Sequence, residues 1–133
     1  MASNAFSGVG TVFKRDAVSV AEVNSISGPN MTRDTIDVTS LDSTGGYREF
    51  IGGFRDGGEV TLNMNFTRNG YDDFLVDFQA STTQSYSIEL PDTGTTTFSF
   101  TGIVTSLGTG VPMDDKVTAD VTIKISGQVT LDS

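Results

Sequence analysis

Period-two alternation is the feature that most constrains the fold of this chain, because successive side chains of a β-strand leave opposite faces of a sheet. Between Glu59 and Phe66 every second residue is apolar, and the residues between them are polar or charged. The same alternation recurs in segments 85–90, 95–104 and 117–131, where Thr and Val are frequent. The sequence therefore predicts a mainly β protein, a β-sandwich or small barrel of about seven or eight strands.

One segment has a helical period instead. Its apolar residues recur at positions i, i+3, i+4 and i+7, as one face of a helix requires: Tyr71, Phe74, Leu75 and Phe78. Asn69 precedes them and is a residue type that commonly caps helix N-termini. The pattern predicts a single flanking α-helix at about residues 70–80.

Segment 41–58 contains many glycines and several large apolar side chains, and it is predicted as a long loop. Loops this long are usually functional or disordered. The side chains of interest are Tyr47, Arg48, Phe50, Ile51, Phe54 and Arg55. Exposed apolar patches mark interaction surfaces, and aromatic residues and Arg are enriched at interface hot spots. These six residues are therefore predicted to contact another subunit, with a lid over the chain's own core as the alternative.

Composition narrows the function further. The chain has 133 residues, the size of one domain, and is predicted to form a single domain over 1–133. It contains no Cys and no His, which excludes disulfides, thiolate metal sites and histidine catalysis. No metal or other cofactor is expected. The formal net charge of -9 argues against a surface that binds nucleic acid.

Targeting signals are not evident in the sequence. No apolar run approaches the roughly 20 residues of a membrane span. The polar start of the chain, residues 1–8, lacks the basic and apolar regions of a secretory signal. We therefore expect a soluble protein that is made in the cytoplasm and has no membrane partner.

The triplet Asp92, Thr93 and Gly94 has two interpretations. It matches the catalytic triplet of aspartic proteases, some of which are small, all-β and dimeric. It also follows Pro91, and Pro, Asp, Thr and Gly in this order are typical of a turn. The turn is the preferred interpretation, and a retroviral-type aspartic protease stays an alternative.

A longer stretch carries a resemblance to a known family. The sequence TIDVTSLDSTGGYREFIGGFRDGGEVTLNMNF, followed by GYDDFLVDF, resembles the tail tube proteins, or major tail proteins, of long non-contractile phage tails and related gene transfer agents. The order of strand, glycine-rich loop, alternating strand and acidic helix is similar over about residues 23–78. The resemblance implies a β-sandwich with a flanking helix, in this chain without a C-terminal immunoglobulin-like domain.

The resemblance also implies a function and partners. It implies a structural subunit without catalysis that forms hexameric rings, which stack into a hollow tube around a tape measure protein. Tail terminator and baseplate or tip proteins would bind the tube ends, and DNA would pass through without specific binding. The tube would be part of the virion tail and be assembled in the host bacterial cytoplasm.

The lumen of such a tube is lined largely by polar and acidic side chains, and an acidic wall repels phosphates. Candidates for the lumen in this chain are Asp37, Glu59, Asn63 and Asp120, which lie on polar faces of predicted strands. A second class of function stays open beside the tube subunit. It is a monomeric or dimeric β-sandwich binding module in which the long loop acts as a ligand lid.

Overall fold

The computed structural model describes residues 8–20, 22–92 and 94–132, and within these ranges the chain forms ten β-strands and one α-helix. The strands are β1 (Val12–Arg15), β2 (Val18–Ser19), β3 (Val23–Ser27), β4 (Thr32–Asp37), β5 (Phe50–Asp56), β6 (Glu59–Asn65), β7 (Gln84–Glu89), β8 (Thr97–Gly110), β9 (Thr118–Ile125) and β10 (Thr130–Asp132). The helix α1 (Arg68–Gln79) lies between β6 and β7. Two segments with a prediction lie outside the described residues: residues 1–7, where no secretory signal is expected, and Thr93 of the predicted turn.

Eight strands form one antiparallel sheet in the order β2-β1-β7-β8-β9-β6-β3, with β10 also paired to β8. The long strand β8 belongs to both halves of this sheet. Its residues 97–102 pair with β7, and its residues 102–110 pair with β9, with a bulge between Val104 and Ser106. Apolar side chains from both halves form a single core, and α1 packs against β8. The predicted β-sandwich with one flanking helix is confirmed.

The core follows directly from the alternation in the sequence. Strands β6 and β9 pair so that Val60 lies opposite Ile123 and Leu62 lies opposite Val121. All four side chains are fully buried, as expected when one face of each strand is apolar. Phe66, predicted to continue the row, follows the end of β6 and is exposed.

Helix α1 lies where the sequence predicts it, but its cap and its buried face differ. The N-cap is Thr67, not Asn69: the hydroxyl oxygen of Thr67 accepts a hydrogen bond from the Gly70 N–H at 3.1 Å. The side chains buried in the core are Phe74 and Asp77, while Phe78 is exposed. The helix is therefore rotated from the apolar face that periodicity alone indicates.

The predicted loop at 41–58 is wrong in part, because residues 50–56 form strand β5. This strand pairs with β4 in a separate two-stranded sheet, with Ile36 opposite Ile51 and Asp37 opposite Phe50. The connection between them contains a short 3-10 turn, Thr44–Gly46. The glycine-rich segment is thus the second half of a hairpin and not a loop between neighbouring strands.

The last alternating segment is interrupted at its glycine. Strand β9 ends at Ile125, and Gly127 has a φ of 94°, a left-handed conformation that glycine adopts without strain. The chain then forms β10, whose Leu131 pairs with Phe98 of β8. The segment therefore forms two strands, β9 and β10, with Gly127 between them.

Candidate assembly surfaces

Strands β4 and β5 and the connection between them form an arm, residues 32–56. Each of its two strands pairs only with the other in the described structure. Large apolar side chains on the arm are exposed to solvent: Phe54 is 90% exposed, Tyr47 76%, and Phe50 and Ile51 54% each. An apolar surface of this kind on a folded protein marks an interaction site.

The arm also carries charged groups. The Arg48 Nη1 atom lies 3.2 Å from the Asp37 Oδ2 atom, and both side chains belong to the arm. Hydrogen bonds from the side chain and backbone of Thr39, followed by the contact with Arg48, lower the pKa of Asp37. Arg55 lies directly opposite Arg33 in the strand pair. All six side chains predicted to contact another subunit therefore lie on the arm or at its tip, together with Asp37.

A second surface is the polar sheet face, formed by the outward side chains of β3, β6, β9 and the C-terminal half of β8. Three of the predicted lumen residues lie on it: Glu59, Asn63 and Asp120. Asn63 pairs with Asp120 across the β6–β9 ladder, and Glu59 pairs with Lys124. The structure brings these residues together on one face and places Asp37 elsewhere.

Hydrogen bonds connect three strands of the polar sheet face in a row. The Lys116 Nζ atom donates to the Asn24 side chain at 3.2 Å, and Asn24 donates to Asn63 at 3.1 Å and to Asn65 at 3.0 Å. Asn63 in turn donates to the Asp120 carboxylate at 2.6 Å. The row fixes the orientation of the side chains, so this face presents ordered amides and a carboxylate.

The four strands under the polar sheet face have two open edges. In the part of the chain that the structure describes, β3 pairs with β6 alone, and residues 103–110 of β8 pair on one side only, with β9. Unpaired edges offer N–H and C=O groups to another strand. The geometry allows the same four-stranded sheet of a second copy to add at either edge.

A buried ionic contact holds the helix to the other half of the sheet. Asp77 is 2% exposed, and its two carboxylate oxygens accept hydrogen bonds from Arg15 at 2.6 and 2.7 Å. The hydroxyl of Tyr86 donates to the same carboxylate at 2.7 Å. The hydrogen bond to Asp77 raises the pKa of Arg15, and burial raises that of Tyr86. The contact links α1, β1 and β7, and the sequence pattern does not indicate it.

Groups suited to chemistry are few. Among the described residues, no cluster of three or more acidic side chains is close enough to hold a metal ion. Asp92 lies in a turn, where its carboxylate accepts hydrogen bonds from the backbone N–H and hydroxyl of Thr96, and these bonds lower its pKa. The catalytic pair of an aspartic protease shares a proton, which requires one carboxyl with a raised pKa.

No helix in the described ranges is long and apolar enough to cross a membrane.

Comparison with known proteins agrees with this description. The family model described as "Lambda phage tail tube protein, TTP" matches residues 4–132. No curated protein sequence matches the chain significantly. Solved structures with the same fold include a chain from the virion of a native gene transfer agent particle, at 21% identity and a TM-score of 0.80, covering 97% of this chain and 100% of that one.

Two further structures show the same fold. A chain from the tail of an empty gene transfer agent particle, refined with C6 symmetry, has 19% identity and a TM-score of 0.79, with 97% of this chain and 100% of that chain covered. A chain from the sheath/tube terminator of an extracellular contractile injection system in its extended state has 17% identity and a TM-score of 0.78, with both chains covered completely.

Proposed function

Because the chain belongs to the lambda phage tail tube protein family, we propose that its copies form six-membered rings that stack into the hollow tube of a tail. As a member of this family it is a structural subunit that polymerises into a tube. The number six follows the C6 symmetry of the gene transfer agent tail that shares its fold. The observation that carries the proposal is the arm, whose apolar side chains are exposed in the single chain.

The polar sheet face forms the lumen in this proposal. The four strands β3, β6, β9 and β8 of neighbouring copies pair at their open edges, and the ring closes a continuous inner barrel. Closure removes the unpaired edges that would otherwise make a lone subunit prone to aggregation. The side chains of Glu59, Asn63 and Asp120 then line the passage, whereas Asp37 lies on the arm with its partner Arg48.

The chemistry of the polar sheet face suits a passage for DNA. Proteins that bind duplex DNA neutralise its phosphates with clustered Lys and Arg. Here the side chains are mostly Asn, Thr and Ser with two carboxylates. The Lys124 ammonium is already paired with Asp56 at 2.9 Å, and the Lys116 ammonium donates to the Asn24 amide at 3.2 Å. A wall of this composition repels phosphates or leaves them free, so DNA moves through without specific binding.

The arm makes the contacts between subunits. Tyr47, Phe50, Ile51 and Phe54 pack on a neighbouring copy, and Arg48 and Arg55 lie at the rim of that contact. A head-to-tail interface closes into a ring when its rotation closes, and a second interface along the axis continues as a filament. The exposure of these apolar side chains in the described structure favours a contact with a neighbouring copy over a lid on the chain's own core.

The remaining partners follow from a tail tube. A tape measure protein fills the lumen before DNA passes, and tail terminator and baseplate or tip proteins bind the two ends. We propose a purely structural role without catalysis or a cofactor. The tube belongs to the virion tail and is assembled in the host bacterial cytoplasm.

Electron microscopy of the purified chain tests the function. The wild-type protein at high concentration should form tubes or rings of uniform diameter. The double variant Phe50→Asp, Phe54→Asp should stay a folded monomer, because the two new carboxylates cannot be buried in an apolar contact. Circular dichroism should show the wild-type β spectrum for this variant.

A matched control places the same two added charges outside the arm. The variant Val76→Asp, Gln79→Asp changes two exposed positions of α1 and should polymerise. Polymerisation of the arm variant at the wild-type rate would show that the arm is not part of the interface. A wild-type chain that stays monomeric at every concentration would contradict the tube itself.

A further inference from the structure

A cationic cleft lies where the arm joins the body. Arg33 and Arg55 from the arm line it together with Lys124 at the end of β9, and Ile125 and Val129 contribute apolar wall. Three of the eight basic residues of the chain thus line one cleft, although the chain has a net charge of -9. Such a concentration of cations in an acidic protein indicates a site for an anionic group.

The two arginines lack a counter-charge of their own. Arg33 and Arg55 are direct cross-strand partners in the β4–β5 ladder, and like charges directly opposite each other destabilise a strand pair. Within the described ranges neither forms an ion pair, and the carboxylate of the neighbouring Asp56 is bound to Lys124. The arginine pair is therefore placed to bind carboxylates of another molecule.

A loop with the complementary character lies at the far end of the same strands. Residues 111–117 connect β8 to β9, and they include the adjacent Asp114 and Asp115, which form no ion pair in the described structure. The neighbouring Met113 and Val111 are 102% and 74% exposed. The loop thus offers two carboxylates beside apolar side chains, and the cleft offers two guanidinium groups beside an apolar wall.

The positions of the two features favour contact between stacked copies. The loop precedes β9 at Thr118, and the cleft lies beyond its other end at Ile125, so about 25 Å of strand separates them at roughly 3.3 Å per residue. A surface at one end of a subunit that complements the opposite end of the next copy is heterologous and continues along an axis. In such a stack all copies have the same orientation along the axis.

We propose that Asp114 and Asp115 of each subunit bind Arg33 and Arg55 of a subunit in the next ring. The partner is a second copy of this chain, and the inference rests on the proposed stacking of rings. Bidentate pairing of guanidinium with carboxylate supplies direction and register to the stack, because only one end of each ring carries the loop.

Charge reversal tests the contact. The loop variant Asp114→Lys, Asp115→Lys and the cleft variant Arg33→Glu, Arg55→Glu should each lose tubes in negative-stain images. The concentration needed for sedimentable polymer should rise more than about tenfold, as about 1.4 kcal/mol of lost binding free energy produces. The chain that carries all four substitutions has the wild-type net charge and should regain tubes, since the inverted pairs again attract.

The control variant Asp72→Lys, Val76→Lys, Gln79→Lys makes the same change in net charge as the loop variant at exposed positions of α1 and should form tubes like the wild type. Folding of every variant is checked by thermal unfolding of the monomer. Normal tubes from either single-site variant, or no recovery in the fourfold variant, would overturn the contact while leaving the tube intact. If the wild-type chain itself forms no tube, the proposed function fails and not the contact alone.

Discussion

Strands β5 and β6 follow one another in the chain, have seven residues each, and have opposite fates. In β6 the residues Val60 and Leu62 are fully buried. In β5 the residues Phe50 and Phe54 are exposed, although their side chains are larger and equally apolar. Two glycines separate the strands, and Gly58 has a φ of 79° with no room for a Cβ beside the Asn30 carbonyl oxygen.

The difference in burial between β5 and β6 follows from the partners with which each strand pairs and packs. In the body, β6 pairs with β9 and faces the core, so its alternating apolar side chains are buried within the chain itself. The arm supplies only β4 for β5, and within the described residues every position of the two strands except Gly53 is exposed. Exposed apolar side chains of this kind mark an interaction surface, and in the proposed tube they would pack on a neighbouring copy.

The sharpest test compares one residue type in the two regions. Phe74→Ala should lower the free energy of unfolding by about 4 kcal/mol, because it leaves a cavity in the core beside Phe13. Phe54→Ala should change the same quantity by less than about 0.5 kcal/mol, because that ring is already in water. Urea titration of monomeric protein followed by circular dichroism measures both. Equal losses would show that the arm packs on the body in solution.

The second test removes the buried ionic contact of the body. Asp77→Ala should cost about 3 kcal/mol of stability, because Arg15 and the Tyr86 hydroxyl lose their partner, while Arg15 keeps some access to water. Asp72→Ala, five residues earlier at an exposed position of α1, is the matched control and should stay within about 0.5 kcal/mol. If the two variants unfold at the same urea concentration, the contact does not hold the helix in place.

The smallest expected effect concerns the ion pair that joins the two regions. Lys124 of the body lowers the pKa of Asp56 on the arm below its ordinary value of 3.8, and the Gly58 N–H adds to this effect. Lys124→Met should raise that pKa towards 3.8, as carboxyl NMR titration would measure. A pKa of Asp56 that does not change in the variant would mean that the arm base is not held by this pair.

The pH dependence has a definite sign. A carboxyl whose pKa is lowered in the folded state stabilises that state at pH values above its unfolded pKa, and the stabilisation is lost as the pH falls through the folded pKa. The wild type and Lys124→Met should therefore differ in stability by a constant small amount above about pH 5, and the difference should shrink below the unfolded value near 3.8.

Sequence periodicity predicts the body well, because burial there is decided within the chain. The rows of β6 and β9 and the position of α1 all follow from spacing alone. Strand β5 was not predicted as a strand. Its Phe50 and Ile51 are adjacent, two glycines follow them, and no face of the strand is buried, so neither alternation nor propensity indicates it. Its pairing with β4 across a 12-residue connection is a tertiary property.

The sequence indicates the features of the candidate surfaces unevenly for the same reason. Exposed aromatic residues on the arm follow from composition, and the shared face of Asn63 and Asp120 needs only the strand register. The contact of Asp77 with Arg15 joins residues 62 positions apart. The only sequence signal for it was an Asp three residues after Phe74, on the same side of a helix.

A two-stranded hairpin without a core is only marginally stable in water. The arm holds its shape through one ladder and a few side-chain hydrogen bonds, so in the proposed tube most of its rigidity would come from the copy on which it docks. In the proposed tube, resistance to bending is therefore shared between subunits. In this proposal the arm is the flexible part of a free subunit and a rigid part of the assembled tube.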